Sequence, residues 1–180
     1  MRRFLCLCAL GALTLLCRPT AGQASSQAKA AEPGVDVIWN YAGTWNTEIN
    51  HLDTPYSKAS KEAHKLENDC WKSGAYVACR QIVDGDPKIL LVFTYNDKDR
   101  SFTSYQIPAH GGDAHSGKFQ IDGNAWIFPW ESTEGGKTTY FRVVNVWSSP
   151  TTIEFRQEYS GDQKTWTQMA TGHEVKIAEK

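Results

Sequence analysis

The sequence predicts an all-β protein: an antiparallel up-and-down meander of about ten strands, closed as a barrel or folded as a sandwich, behind one short N-terminal helix. Three observations carry this. Turn signals recur roughly every ten residues, at Gly74-Ala75, Asn96-Asp97-Lys98-Asp99, Gly111-Gly112, Asp122-Gly123, Gly135-Gly136, Ser149-Pro150 and Ser160-Gly161. The runs between them are rich in β-branched and aromatic residues, with a period of two and no long helical period after Tyr41. Two cysteines stand symmetrically about one of the turns, in Cys70-Trp-Lys-Ser-Gly-Ala-Tyr-Val-Ala-Cys79.

That hairpin defines its own register. Gly74 at the first position of a two-residue loop suits a type II′ turn, which needs φ > 0 there. Counting outward pairs Ser73 with Tyr76, Lys72 with Val77, Trp71 with Ala78 and Cys70 with Cys79. The pair flanking the loop is hydrogen-bonded and the rungs alternate. The cysteines therefore fall on a non-hydrogen-bonded rung, where side chains come closest and a disulfide is within reach.

The N-terminus reads as an export signal. Arg2 and Arg3 precede an apolar run from Phe4 to Cys17, too short to span a bilayer comfortably, and Gly22-Gln23-Ala24 fits a small-x-small cleavage site. A signal peptide over 1–24, cut after Ala24 with Gly22 as the second choice, is expected. Leu15 and Leu16, rather than small residues, precede Cys17, which argues against a lipoprotein. Cleavage leaves Cys70 and Cys79 as the cysteines of the mature chain. An even pair in an exported protein reads as one disulfide; the alternative is two unpaired thiols facing each other. Basic residues fall from 19 to 16 against 20 acidic ones, a net charge of −4. Such a chain has no basic field for nucleic acid or anionic lipid. The expected location is periplasmic or extracellular, with no membrane span in the mature protein.

Residues 25–34, mostly Ala, Ser, Gln and Lys, read as a flexible leader, and 35–180 as a single domain. Val37, Ile38 and Tyr41 lie at helical spacing, one or two turns that can plug the end of something. Strands are expected at 43–51, 61–72, 76–83, 88–96, 101–108, 115–122, 125–132, 137–148, 151–160 and 164–177, with a further helical turn possible near Ser57 to His64. Apolar faces are legible in several. Ile153, Phe155 and Tyr159 alternate with Thr152, Glu154, Arg156 and Glu158; Trp126, Phe128 and Trp130 share a face; Phe141 and Val143 oppose Tyr140 and Arg142. Pro129 interrupts its run, which an edge or a bulge would accommodate.

Gly43-Thr44-Trp45 is similar to the Gly-x-Trp at the start of the lipocalin barrel. The Cys70–Cys79 hairpin, Tyr95-Asn-Asp-Lys-Asp, Gly117-Lys118 leading into Asp122-Gly-Asn-Ala-Trp126, Gly136-Lys137 followed by Arg142, and Ser160-Gly-Asp-Gln-Lys-Thr-Trp166 extend the likeness over about Val35 to Ile177. Together they resemble a bacterial family known as a domain of unknown function and grouped with the calycin-like barrels. The chain departs from it at Asp162-Gln163, where relatives tend to have Asp-Gly. The resemblance implies a calycin-like (lipocalin-like) barrel and carries over no activity, substrate or catalytic residue.

Inward residues of a small barrel either fill it or line one ligand cavity. The filled reading makes the aromatics core. The hollow reading makes a pocket for a small apolar or amphipathic molecule, lined by some of Trp45, Phe93, Tyr105, Trp126, Phe128 and Phe141. Arg142 suits a structural role, stacked on Trp45 or facing outward, or else a ligand carboxylate. His110, Asp113 and His115 have metal-like composition but lie on a Gly-rich loop with no third or fourth fixed ligand, so no metal or cofactor is expected. His51, His64 and His173 read as surface or capping residues. Neither a Gly-x-Ser-x-Gly elbow, a His-Glu-x-x-His pair, a phosphate loop nor a dinucleotide fingerprint is present. Three functions follow: a binder of a small apolar or amphipathic ligand, a filled barrel serving as an interaction or structural module of the cell envelope, and an enzyme of unknown reaction.

Overall fold

The computed structural model describes residues 34–179. The expected signal peptide over 1–24, and the leader up to residue 33, lie outside the described residues. A 3-10 helix, Val35–Tyr41, opens the chain. Ten antiparallel strands follow: β1 (Gly43–His51), β2 (Ser60–Ser73), β3 (Tyr76–Val83), β4 (Asp86–Asn96), β5 (Ser101–Pro108), β6 (His115–Asp122), β7 (Ala125–Glu134), β8 (Lys137–Ser149), β9 (Thr152–Ser160) and β10 (Thr167–Ala178). Each pairs with its neighbours in sequence and β1 also pairs with β10, which closes an up-and-down barrel. This is the all-β up-and-down meander that the turn spacing and alternation predict, closed as a barrel in keeping with the calycin-like fold that the resemblance implies.

The hairpin has the register obtained by counting: Ser73 opposite Tyr76, Lys72 opposite Val77, Trp71 opposite Ala78, Cys70 opposite Cys79. Gly74 takes φ 56° while Ala75 has no positive φ. Cys70 and Cys79 are joined in a disulfide, with Cα atoms 4.0 Å apart. It faces inward: Cys79 is fully buried against Ile38 and Phe93, and Cys70 packs beside them.

Two expectations are corrected. The stretch after Ser57 is not helical: a tight turn bridged by Thr54 and Ser57 runs straight into β2 at Ser60. The last strand begins at Thr167, because the preceding amides are used elsewhere. Lys164 and Thr165 donate to Asp162 Oδ1, both at 2.8 Å, and Gln163 donates to Ser160 Oγ at 2.9 Å. Amides bound to side chains cannot join a strand ladder. Gln163 adopts a left-handed φ of 60°, a conformation that glycine takes at no steric cost.

The helix seals one end. Ile38 is fully buried among Val77, Cys79, Phe93, Phe102, Phe119 and Trp126. Trp45, Leu66, Ile153 and Phe155 form an adjoining cluster. Gly43 takes φ 124°, and a Cβ there would meet the Ala178 carbonyl oxygen at 2.5 Å. Glycine is therefore what lets the chain turn from the helix into β1 against the end of β10.

Candidate functional site

Tyr41, the last helical residue, forms a floor across the barrel. Its ring meets Trp126 edge-on at 4.9 Å and lies 5.5 Å from Trp147. Asn145 Nδ2 donates to the Tyr41 hydroxyl at 2.6 Å, and Trp45 Nε1 donates to the Tyr41 carbonyl at 3.0 Å. Lys176 Nζ sits 5.0 Å from the Trp45 ring centroid, a cation–π contact that covers this end.

Above the floor the barrel is hollow, with a cavity of about 940 Å³. That lies within the size range of pockets that enclose small molecules. One wall is aromatic: Phe119 stacks on Phe128 at 4.7 Å and meets Phe93 edge-on at 5.8 Å. The facing wall is polar. Thr47 on β1 pairs across the ladders with His64 on β2 and Glu174 on β10, so three polar side chains form one inward row. In the strand order β1 lies opposite β6, which sets this row across from Phe119.

The electrostatics of the row are uneven. His64 Nδ1 lies 2.8 Å from Asp84 Oδ2 and Nε2 lies 3.2 Å from Glu62 Oε2. Asp84 and then Glu62 raise the imidazole pKa above its ordinary value, because both stabilise the cation. Glu174 has no such partner: among the described residues no hydrogen bond or ion pair reaches its carboxyl. Burial pushes it up to about 7, against a small opposing pull from His173. Burial and the nearby Glu174 carboxyl also raise the Tyr41 hydroxyl, so it stays a neutral phenol, despite the Asn145 bond that favours its ionisation. Thr47 Oγ1 is buried without a hydrogen-bond partner among the described residues.

Two features bear on access. At the open end Tyr56, in the β1–β2 connection, packs edge-on against Phe141 at 5.1 Å and Tyr159 at 4.8 Å, and its hydroxyl lies 3.1 Å from Thr139 Oγ1. It covers part of the mouth. On the side, the β6–β7 ladder has three rungs, from Asp122–Ala125 to Gln120–Ile127, whereas β7–β8 pairs throughout. Beyond those rungs consecutive residues of both strands line the cavity, from His115 to Phe119 and from Phe128 to Glu131. Pro129 lies in this unpaired stretch, where its missing N–H costs no ladder bond.

Of the residues singled out from sequence, Phe93 and Phe128 line the cavity. Trp45 and Trp126 are buried around and below the floor, and Phe141 lies under Tyr56, stacked on Trp130. Tyr105 is exposed, opposite Val92 on the outer face. Arg142 also faces outward: Nε lies 2.6 Å from Glu158 Oε2, and its guanidinium sits over Trp166 at 3.9 Å, not over Trp45. Arg156 binds the other Glu158 oxygen at 2.8 Å. His110 pairs with Asp86 at 2.9 Å, and among the described residues no three His, Cys, Asp or Glu side chains converge as metal ligands. Tyr41, read from sequence as part of an end plug, is the cavity floor, and the lining residues that the sequence reading passed over include Thr47, Phe119, Asn145 and Glu174. Phe119 and Ile121 share a face in their own strand, a signal that points to the first of the aromatic wall. Glu174 carries no such signal.

No family model matches this chain, and no curated protein matches it. Among the described residues no helix is long and apolar enough to cross a membrane.

Proposed function

We propose that this protein binds a small amphipathic molecule inside its barrel. The observation that carries the reading is the cavity of about 940 Å³, aromatic on the β6–β7 side and polar along His64, Thr47 and Glu174. Apolar area supplies affinity, and a few convergent polar groups orient the ligand. A filled barrel would need side chains to occupy that volume, so the hollow interior weighs against the purely structural reading. Membership of the exported calycin-like family that the motifs resemble is part of the same proposal, as are the signal peptide over 1–24 and a periplasmic or extracellular location.

Titration of the purified protein with the neutral apolar dye N-phenylnaphthylamine tests the reading. Saturable enhancement at one site per chain is expected, and abolished binding in Leu91→Trp, which places an indole in the cavity. A dye that does not saturate, or binds the Leu91→Trp variant equally well, overturns it. Intact-mass measurement of protein secreted with its own N-terminus tests cleavage after Ala24.

A further inference from the structure

Two of the basic side chains that line the cavity are already committed, and the third, His115, lies on β6, the strand across from Glu174's neighbour β1. His64 is held between Asp84 and Glu62, and Lys118 Nζ lies 3.1 Å from Asp99 on the outer side of β6. Lys176, inward on β10, is spent on the Trp45 ring and on Glu179 at 3.3 Å. His173 points away from the cavity to Glu154, 2.6 Å from it. Among the carboxylates on the wall, Glu131 is exposed beside the β6–β7 gap, while Glu174 sits deep in the polar row with no counter-ion among the described residues.

Around Glu174 the chain offers hydroxyls, which can accept or donate a hydrogen bond, and no cation bound to the carboxyl among the described residues. Thr47 Oγ1, its direct cross-strand neighbour, is buried and unpartnered. The Tyr41 hydroxyl lies within electrostatic reach of Glu174 and already takes one hydrogen bond, from Asn145. Buried polar groups are normally paired, and those left over mark where a partner belongs. The carboxyl favours a cation bearing N–H donors, the unpartnered hydroxyl can accept one of them, and the wall of Phe93, Phe119 and Phe128 favours an apolar body.

We propose that Glu174 and Thr47 form a subsite for the protonated amine of an amphipathic ligand whose apolar part lies against Phe119 and Phe128. Glu174 supplies the charge, Thr47 accepts a second N–H, and the aromatic wall takes the carbon skeleton. An anionic ligand would meet an uncompensated carboxyl at this depth, and a neutral alcohol would forgo the charge pairing. This inference rests on the cavity being a binding site.

Calorimetric titration with phenylbutylamine and with phenylbutanol, at about pH 8 where the amine is a cation and Glu174 is ionised, tests it. The amine is expected to bind wild-type protein at least tenfold more tightly than the alcohol. Glu174→Gln should abolish that preference while leaving alcohol affinity within about twofold, and Thr47→Val should weaken the amine alone by a few-fold. Equal affinities for the two probes in wild-type protein overturn the amine subsite and leave the cavity reading standing. A preference that survives both substitutions also overturns it. An alcohol that binds while the amine does not overturns the amine subsite alone, and failure of both probes to bind wild-type protein removes the cavity reading and this inference together. The wild-type comparison decides the matter even if a variant does not fold.

Discussion

The ring of Phe155 occupies the space that a side chain at residue 172 would need. The two residues are cross-strand partners on β9 and β10, both inward, and a Cβ on Gly172 would lie 2.1 Å from Phe155 Cζ and 2.7 Å from the Glu48 carbonyl oxygen. The ring can rotate aside but the backbone carbonyl cannot. Gly172→Ala is expected to lower stability by about 1–3 kcal/mol through overpacking, read as a reduced melting temperature. A variant as stable as wild type would show that β1 and β10 can separate at no cost.

The disulfide should matter to stability in the same assay. It closes a loop between residues nine apart in sequence, worth about 2–3 kcal/mol in the chain-entropy view. Cys70→Ser, or reductant added to wild type, should lower the unfolding midpoint. Thiol titration of denatured, non-reduced protein should find no thiol at Cys70 or Cys79; two titrating thiols there would refute the pairing.

Glu174 makes stability fall with rising pH over a definite window. Its folded value is about 7 against an ordinary 4.5. Below the lower value it is protonated whether folded or not. Above it the unfolded chain ionises while the folded carboxyl resists, so folded-state stability declines until about pH 7. The loss is on the order of 3 kcal/mol. Glu174→Gln removes this cost, so its melting temperature should gain on wild type between about pH 4 and pH 8. A constant difference across that range would mean that Glu174 ionises freely.

On the outer wall, Arg142 is held between Glu158 and the Trp166 ring. It and Arg156 pair with opposite oxygens of Glu158, whose side chain is 7% exposed. Arg142→Ala leaves that carboxylate half-paired and strips the cover from Trp166. A destabilisation of roughly 1–2 kcal/mol is expected, discounted from the fully buried case because Arg156 remains and Arg142 is partly solvated. Dye affinity for the cavity should not change. Lost dye binding in a folded Arg142→Ala protein would place the guanidinium in the ligand's path.

Gln163 offers a stabilising substitution. It holds φ 60° in a turn whose hydrogen bonds run through Ser160 and Asp162. A left-handed conformation costs an L-residue with a side chain roughly 1–2 kcal/mol, part of which glycine returns as unfolded-state entropy. Gln163→Gly should raise stability by about 0.5–1 kcal/mol in chemical denaturation. A decrease would mean that the glutamine side chain contributes contacts of its own.

Strand positions were legible because each depends on neighbours a few residues away. Turn residues bounded the runs, and period-two alternation in β7, β8 and β9 marked the inward face, so Trp126, Phe128 and Ile153 were readable as interior. β10 was not readable in this way. Its inward positions are Ala170, Gly172, Glu174 and Lys176, set by pairing with β1 after a bulge between Gln168 and Ala170. Four residues without an apolar pattern give alternation nothing to detect. Arg142 shows the same limit: the sequence reading offers Trp45 as its aromatic partner, whereas β8 and β9 bring Glu158 beside it and the following loop brings Trp166.

The sequence by itself therefore determined the all-β class, the meander, the hairpin register and the cysteine pair, since turn chemistry and alternation act over short stretches of chain. Only closure of the barrel decided which aromatics became floor and which became wall, and that Thr47 and Glu174 share a cavity. Those relationships join β1 to β10, and β1 to the strands across the barrel. Such contacts arise from the curvature and register of the whole sheet, which no local pattern encodes.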